Sequence, residues 1–276
     1  MLWRTTRYDI DCSIPRVMGI VNCTPDSFAD PARGADEAIA LCARLVAEGA
    51  DLLDIGGEST RPGAEPVGVD VELQRILPVI DAALRLGVPV SVDTRHVETM
   101  RAVLARGVDV INDVQALRAP GALDVVASHG RCGVCLMHMR GAPATMANEA
   151  QYEDVVRDVR TFLVERLGVA TQGGIDAQRV VLDPGIGFAK TAAHNLELLS
   201  RQAELSDLGR PLLVGWSRKS TLGRLTGGKP AAERLAASVA AAVIAVERGA
   251  RIVRVHDVAA TVDALAVWKA ARAPRR

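Results

Sequence analysis

Short apolar runs rich in β-branched residues recur along the chain at 16–22, 51–57, 89–94, 109–114, 132–138, 179–184, 211–217 and 251–257. Their length and composition predict strands. The segments between them have helical periodicity. Over 71–86, for example, Leu73, Ile76, Leu77, Ile80 and Leu84 recur at spacings of three and four, which puts them on one helix face. A last helix is predicted over 261–270. No linker, low-complexity tract or shift in composition divides the 276 residues. Eight strand-then-helix units in one undivided chain of this length predict a single (β/α)₈ barrel of the TIM type. The barrel domain spans 1–276, with residues 1–15 as an N-terminal lead-in. A doubly wound open sheet is the structural alternative. It usually has fewer strands, and no Gly-x-Gly-x-x-Gly follows the first run.

Composition narrows the function classes. Apolar residues make up 49% of the chain, enough for a real core. Lys plus Arg and Asp plus Glu number 33 each, so the global field is flat. This argues against non-specific nucleic-acid binding and against a polybasic membrane role. The segment 1–11 lacks a signal-type apolar core, and the Ala-rich stretch 235–246 falls short of the ~20 residues that span a bilayer. Five scattered cysteines, an odd number, fit a reducing cytoplasm. Cys132 and Cys135 have the spacing of a redox or metal pair. They lie in a predicted strand, however, where residues three apart point to opposite faces, so both are expected as buried small hydrophobes.

Every apolar run ends in polar residues: Asn22, Glu58 to Arg61, Asp93, Asn112 with Asp113, His138, Asp183, Ser217 to Ser220, and Arg254 with His256. Any one of these could simply start a loop or cap a helix. Eight together, with acids inside otherwise apolar runs, mark the C-terminal rim where barrels build active sites. His129 and His194 are expected on the surface. His138 has no Cys or His at metal spacing and is expected to be packed rather than to bind zinc. Gly223-x₄-Gly228-Lys229 approaches a phosphate loop, but Pro230 replaces the Ser or Thr and no strand precedes it. The better anion sites are Ser217-Arg218-Lys219-Ser220 and Arg254-Val-His256, after strands seven and eight. Residues 254 and 256 share a strand face and can grip one anion together. Phe28 and Phe188 fall in rim loops, where they suit stacking on a flat ring.

Several stretches carry a family resemblance. They are Val17-Met-Gly-Ile-Val-Asn22-Cys-Thr-Pro-Asp26-Ser-Phe28, Asp54-Ile-Gly-Gly-Glu-Ser-Thr60-Arg61-Pro62-Gly63, Ser91-Val-Asp93-Thr94, Ile111-Asn112-Asp113, Leu182-Asp183-Pro184-Gly185-x-Gly187-Phe188, Gly215-Trp-Ser-Arg-Lys219-Ser220 and Ile252-Val-Arg254-Val-His256-Asp257. In order and spacing they resemble the dihydropteroate synthase family of pterin-binding barrels, from about Val17 to the end. The resemblance implies condensation of a dihydropterin diphosphate with 4-aminobenzoate and expulsion of pyrophosphate. It also implies site roles. Asp183 takes the pterin edge, Asp93 and Asn112 neighbouring ring atoms, and Lys219 the ring carbonyl and N5 side. Arg254 and His256 bind the diphosphate, with Asn22 and Asp30 holding magnesium on it. Phe28, Thr60, Arg61, Pro62, Phe188 and Ser220 form the aminobenzoate side, and Asp26 faces the developing cation. A homodimer is implied, with 236–245 as the contact. The chain departs from the family after Phe28. The usual Ser-Asp-Gly-Gly reads Ala29-Asp30-Pro31-Ala32, a shorter and stiffer loop. The rival readings are a pterin-dependent methyltransferase with a corrinoid partner, which needs no diphosphate grip, and a non-catalytic pterin-binding paralogue.

Overall fold

A computed structural model describes residues 1–24, 34–59, 65–141 and 146–272. Two short strands, β1 (Leu2–Arg4) and β2 (Asp9–Asp11), form an antiparallel hairpin. Eight parallel strands follow: β3 (Arg16–Asn22), β4 (Leu52–Gly56), β5 (Val90–Asp93), β6 (Val110–Asp113), β7 (Gly133–Met137), β8 (Val180–Asp183), β9 (Leu213–Val214) and β10 (Ile252–Val255). Their order is β8-β7-β6-β5-β4-β3-β10-β9, and a parallel bridge between Leu182 and Leu212 joins the two ends of that order. The sheet thus curls into the predicted eight-stranded barrel. All eight predicted strands are present. The seventh is much shorter than expected, two residues of 211–217, because Pro211 has no N–H for a ladder and the chain leaves the sheet at Gly215.

The connecting helices are α1 (Gly34–Ala47), α2 (Val69–Ala83), α3 (Val97–Leu104), α4 (Ala122–Ser128), α5 (Val155–Gln172), α6 (Ala192–Ser200), α7 (Ala203–Ser206), α8 (Ser220–Leu225) and α9 (Leu235–Glu247), with α10 (Val258–Arg272) closing the chain. Local chemistry sets their starts. Asp154 accepts from Val156 N and Arg157 N at the head of α5, and Thr191 with His194 forms a capping box on α6. His194 is therefore a cap rather than a loose surface residue. His129, half-buried, likewise accepts from Cys132 N at 3.1 Å.

Strand alternation divides the core in two. Outward residues such as Val21, Ile55, Val92, Leu136 and Val253 pack under the helices. Inward residues at the N-terminal end (Met18, Leu52, Val110, Cys135, Val181, Leu213 and Ile252) pack around Trp3. Residues 1–15 are thus more than a lead-in, because the hairpin plugs the bottom of the barrel. Trp3 is fully buried and its indole donates to Arg179 O at 2.9 Å. Arg7 forks onto buried Asp109 at 2.6–3.2 Å. Truncating a buried aromatic costs about 3–5 kcal/mol, so Trp3 is a main stay of this end. Cys132 lies in the outer cluster and Cys135 in the inner one, so the pair is buried on opposite faces and free, as expected.

Candidate active site

Two residues beyond the apolar plug, on the same inward face, the strands turn polar. Leu52 is followed by Asp54, Val110 by Asn112, Val181 by Asp183 and Ile252 by Arg254. Three of these side chains, Asp54, Asn112 and Arg254, form one chain of bonds with Asp93 at the end of β5. Arg254 Nε donates to Asp54 Oδ2 at 2.5 Å and its Nη2 to Asp93 Oδ2 at 3.0 Å. Asn112 Nδ2 donates to the same Asp54 oxygen at 3.1 Å. Asp54 is fully buried and its Oδ1 has no partner among the described residues. Asp183, across the ring on β8, is buried, and its Oδ1 accepts from Gly185 N at 2.7 Å.

These acids pay electrostatically for enclosure. Burial pushes Asp93 up to about 7, with Asp54, Glu72 and Asp113 adding to the rise and Arg254 opposing it. Burial also lifts Asp183 to about 6, against the Gly185 hydrogen bond and the charges of Lys219, Lys190 and Arg254. Arg254 is pushed above its ordinary range although burial works against it, because Asp54 and Asp93 hold its charge. Carboxylates in this state favour a ligand that brings N–H donors.

The loops after β8, β9 and β10 add the remaining groups. Lys219 Nζ lies 4.3 Å from the centre of the Phe188 ring, a cation–π contact. Gly187, at φ +82°, passes close to this lysine, and a Cβ there would come within 3.0 Å of Lys219 Cδ. His256 is held by Ser217, whose Oγ accepts from His256 N at 3.1 Å and stands 3.0 Å from Nδ1. Because that oxygen already accepts, its O–H is available to Nδ1. With that O–H donated to Nδ1, the ring proton sits on Nε2. Burial, with Arg218 and Arg254 nearby, lowers His256 to about 3, so the ring is neutral and acts as a donor.

Other predicted residues fall elsewhere. Asp113 caps its own loop by accepting from Gln115 N and Leu117 N. Glu58 is held by a two-pronged bond from Arg95, and Arg218 by one to Asp257, which braces the loop after β9. Ser220 is exposed at the start of α8, and Asn22 stands half-buried at the end of β3. Asp26, Phe28, Asp30, Thr60, Arg61 and Pro62 lie outside the described residues. His138 is packed as expected, edge-on to Phe162 at 4.9 Å. Gly223 lies within α8 and forms no phosphate loop. Among the described residues no group of three or more His, Cys, Asp or Glu could hold a metal ion, and no helix is long and apolar enough to cross a membrane.

No role falls on Asp54 or Lys190 from the sequence alone, and Ser217 figures there only as part of the anion-site cluster 217–220. The first had a signal, an acid in the inward register of Leu-Leu-Asp-Ile-Gly two residues after a plug residue. Lys190 had none.

Comparison with known proteins places this geometry in context. The sequence pattern of the pterin binding enzymes matches residues 18–256. A dihydropteroate synthase of Neisseria meningitidis serogroup B is 49% identical over 276 residues, covering 98% of this chain and 97% of that protein. The Xanthomonas albilineans dihydropteroate synthase solved with 4-aminobenzoic acid superposes with a TM-score of 0.92 at 51% identity, covering 97% of this chain and 96% of the other. The Burkholderia cenocepacia dihydropteroate synthase complexed with 7,8-dihydropteroate gives a TM-score of 0.91 at 51% identity, covering 98% and 96%.

Proposed function

The chain belongs to the dihydropteroate synthases of the pterin-binding enzyme family, and from that premise we propose how its barrel mouth joins 6-hydroxymethyl-7,8-dihydropterin diphosphate to 4-aminobenzoate. The relatives are synthases, which sets the methyltransferase reading aside. The observation that carries the proposal is the bonded chain Asn112–Asp54–Arg254–Asp93, buried at Asn112 and Asp54, with buried Asp183 across from it. A pterin presents amino and ring N–H donors along one edge. Asp183 accepts from that edge, and Asn112 and Asp93 meet neighbouring ring atoms. Lys219 donates to the carbonyl and N5 side. Phe188, beneath the Lys219 ammonium, begins the aminobenzoate side, with Ser220, Thr60, Arg61, Pro62 and Phe28 completing it.

The leaving diphosphate meets His256 through Nε2–H. Arg254 adds charge from below, its Nε and Nη2 already engaged by carboxylates, so it acts more as a fixed positive charge than as an open fork. The C–O bond between the pterin methylene and the diphosphate breaks, and its electron pair leaves with pyrophosphate. The aminobenzoate nitrogen supplies the pair for the new C–N bond, then loses a proton to solvent. Arylammonium groups are acidic enough to need no dedicated base. The protein's contribution is therefore electrostatic, on the leaving group and on the methylene cation, with Asp93 and Asp26 as the acids proposed to stabilise that cation.

Magnesium, when bound, would neutralise charge on the diphosphate. Asn22, half-buried at the end of β3, and Asp30 offer it oxygen donors, and this hard-ligand set suits the ion better than zinc. A homodimer is also proposed, through the outward face of the Ala-rich helix. Ser238, Ala241, Ala242 and Ala245 of α9 face the barrel, while Leu235 and Ile244 are exposed. A cytoplasmic setting fits five buried, free cysteines.

Asp183→Asn tests the reading. The change points an amide donor at a ring donor and removes a charged hydrogen bond of about 1.5–3 kcal/mol, so pterin affinity should fall roughly ten- to a hundredfold. Calorimetry giving an unchanged dissociation constant in a folded variant would remove Asp183 from the site.

A further inference from the structure

Lys190 follows β8 and has no part in the division of work above. Its ammonium has three N–H bonds, and three acceptors stand at bonding distance. Gly185 O and Phe188 O are each at 3.0 Å and His138 Nδ1 is at 2.9 Å, with His138 O a looser fourth at 3.4 Å. These acceptors belong to two segments, the one leaving β7 at His138 and the turn 185–188 after β8. Asp183 is tied to both. Its carbonyl accepts from His138 N at 2.9 Å and its carboxylate from Gly185 N at 2.7 Å. The segments touch at this point: Gly185 has φ +68°, and a Cβ there would sit 2.0 Å from His138 O.

With the His138 ring proton on Nε2, Nδ1 is an acceptor, and a neutral amine, with only two N–H bonds, would turn its lone pair on one of the three. That tautomer calls for the charged form, whereas an Nδ1–H ring would donate to a neutral amine. Burial pulls Lys190 down to about 7, with Lys219 and Arg140 acting in the same direction and Asp183 acting against them. Burying an ammonium is costly even with the Asp183 carboxylate offsetting part of that cost, and a purely structural tie between two turns needs no charge.

We propose that Lys190 is a positioning residue for the reaction: its ammonium clamps the His138 segment to the 185–188 turn and thereby fixes the Asp183 carboxylate in the orientation that takes the pterin edge. This rests on Asp183 having that role. The test is a double-mutant cycle with the bare pterin alcohol as titrant, using wild type, K190M, D183N and the double variant, each with a melting curve. K190M should weaken pterin binding about tenfold. In the D183N background it should cost no more than about twofold, because the group it positions is already lost. The KM for 4-aminobenzoate should change less than about twofold in K190M. If K190M does not fold, K190R, which keeps a cation of the wrong shape, replaces it, with a loss of about three- to tenfold and the same non-additivity. Wild-type pterin affinity in the folded Lys190 variant, or losses that multiply in the double variant, would overturn the inference while leaving the Asp183 assignment intact. Wild-type affinity in D183N alone would overturn both.

Discussion

Replacing Asp54 with Asn removes charge from the centre of the site while keeping shape. Asp54 Oδ2 takes Arg254 Nε at 2.5 Å and Asn112 Nδ2 at 3.1 Å, and an amide oxygen can occupy the same place. The amide nitrogen then sits where the unpartnered Oδ1 now lies. A hydrogen bond to a charged group is worth about 1.5–3 kcal/mol and a neutral one about 1 kcal/mol. The hold on Arg254 should therefore weaken by about 0.5–2 kcal/mol, and kcat/KM for the pterin diphosphate should fall about two- to thirtyfold at 1.4 kcal/mol per decade. A second effect has its own sign. Burial first, and then the charge of Asp54, hold Asp93 up at about 7, so removing that charge lets Asp93 ionise at lower pH. If ionised Asp93 serves the reaction, the acidic limb of kcat/KM moves down in pH even as the plateau falls. Initial rates of pyrophosphate release at low pterin diphosphate from pH 5 to 9, with a melting curve alongside, read both effects. A plateau within twofold of wild type with an unmoved acidic limb, or a limb that moves upward, would refute the electrostatic reasoning.

Two further outcomes follow from the same geometry. Asp183, lifted to about 6 by burial, must be ionised to accept the pterin edge, so pterin affinity should be full above that value and fall as pH drops through it; calorimetry at pH 5 matching that at pH 7.5 would contradict this. Ser217→Ala removes the hydroxyl that fixes the His256 tautomer, and should weaken the pterin diphosphate about fivefold while sparing the bare pterin alcohol; equal losses for both ligands would show that the serine only supports the loop.

The strands were legible because they are short, β-branched and bounded by polar residues. The polar inner ring was legible because acids such as Asp183 interrupt otherwise apolar runs. The hairpin plug was not, since Leu2–Arg4 and Asp9–Asp11 acquire their burial only when the closed barrel receives Trp3. The pairing of Arg218 with Asp257 was not legible, because the two stand 39 residues apart in sequence. Asp54 is visible to the alternation rule, yet its role depends on Arg254 reaching across from β10. Lys190 was invisible for a deeper reason. Two of its three close acceptors are backbone carbonyls, which leave no mark on side-chain pattern, and the third is a histidine 52 positions away.

The most direct test of the central claim is pyrophosphate release from 6-hydroxymethyl-7,8-dihydropterin diphosphate, measured with and without 4-aminobenzoate while 7,8-dihydropteroate is quantified in the same reaction. The account predicts release that depends on 4-aminobenzoate and equals the dihydropteroate formed, mole for mole. Binding of the pterin diphosphate with no release above the uncatalysed rate, or release without dihydropteroate, would contradict it.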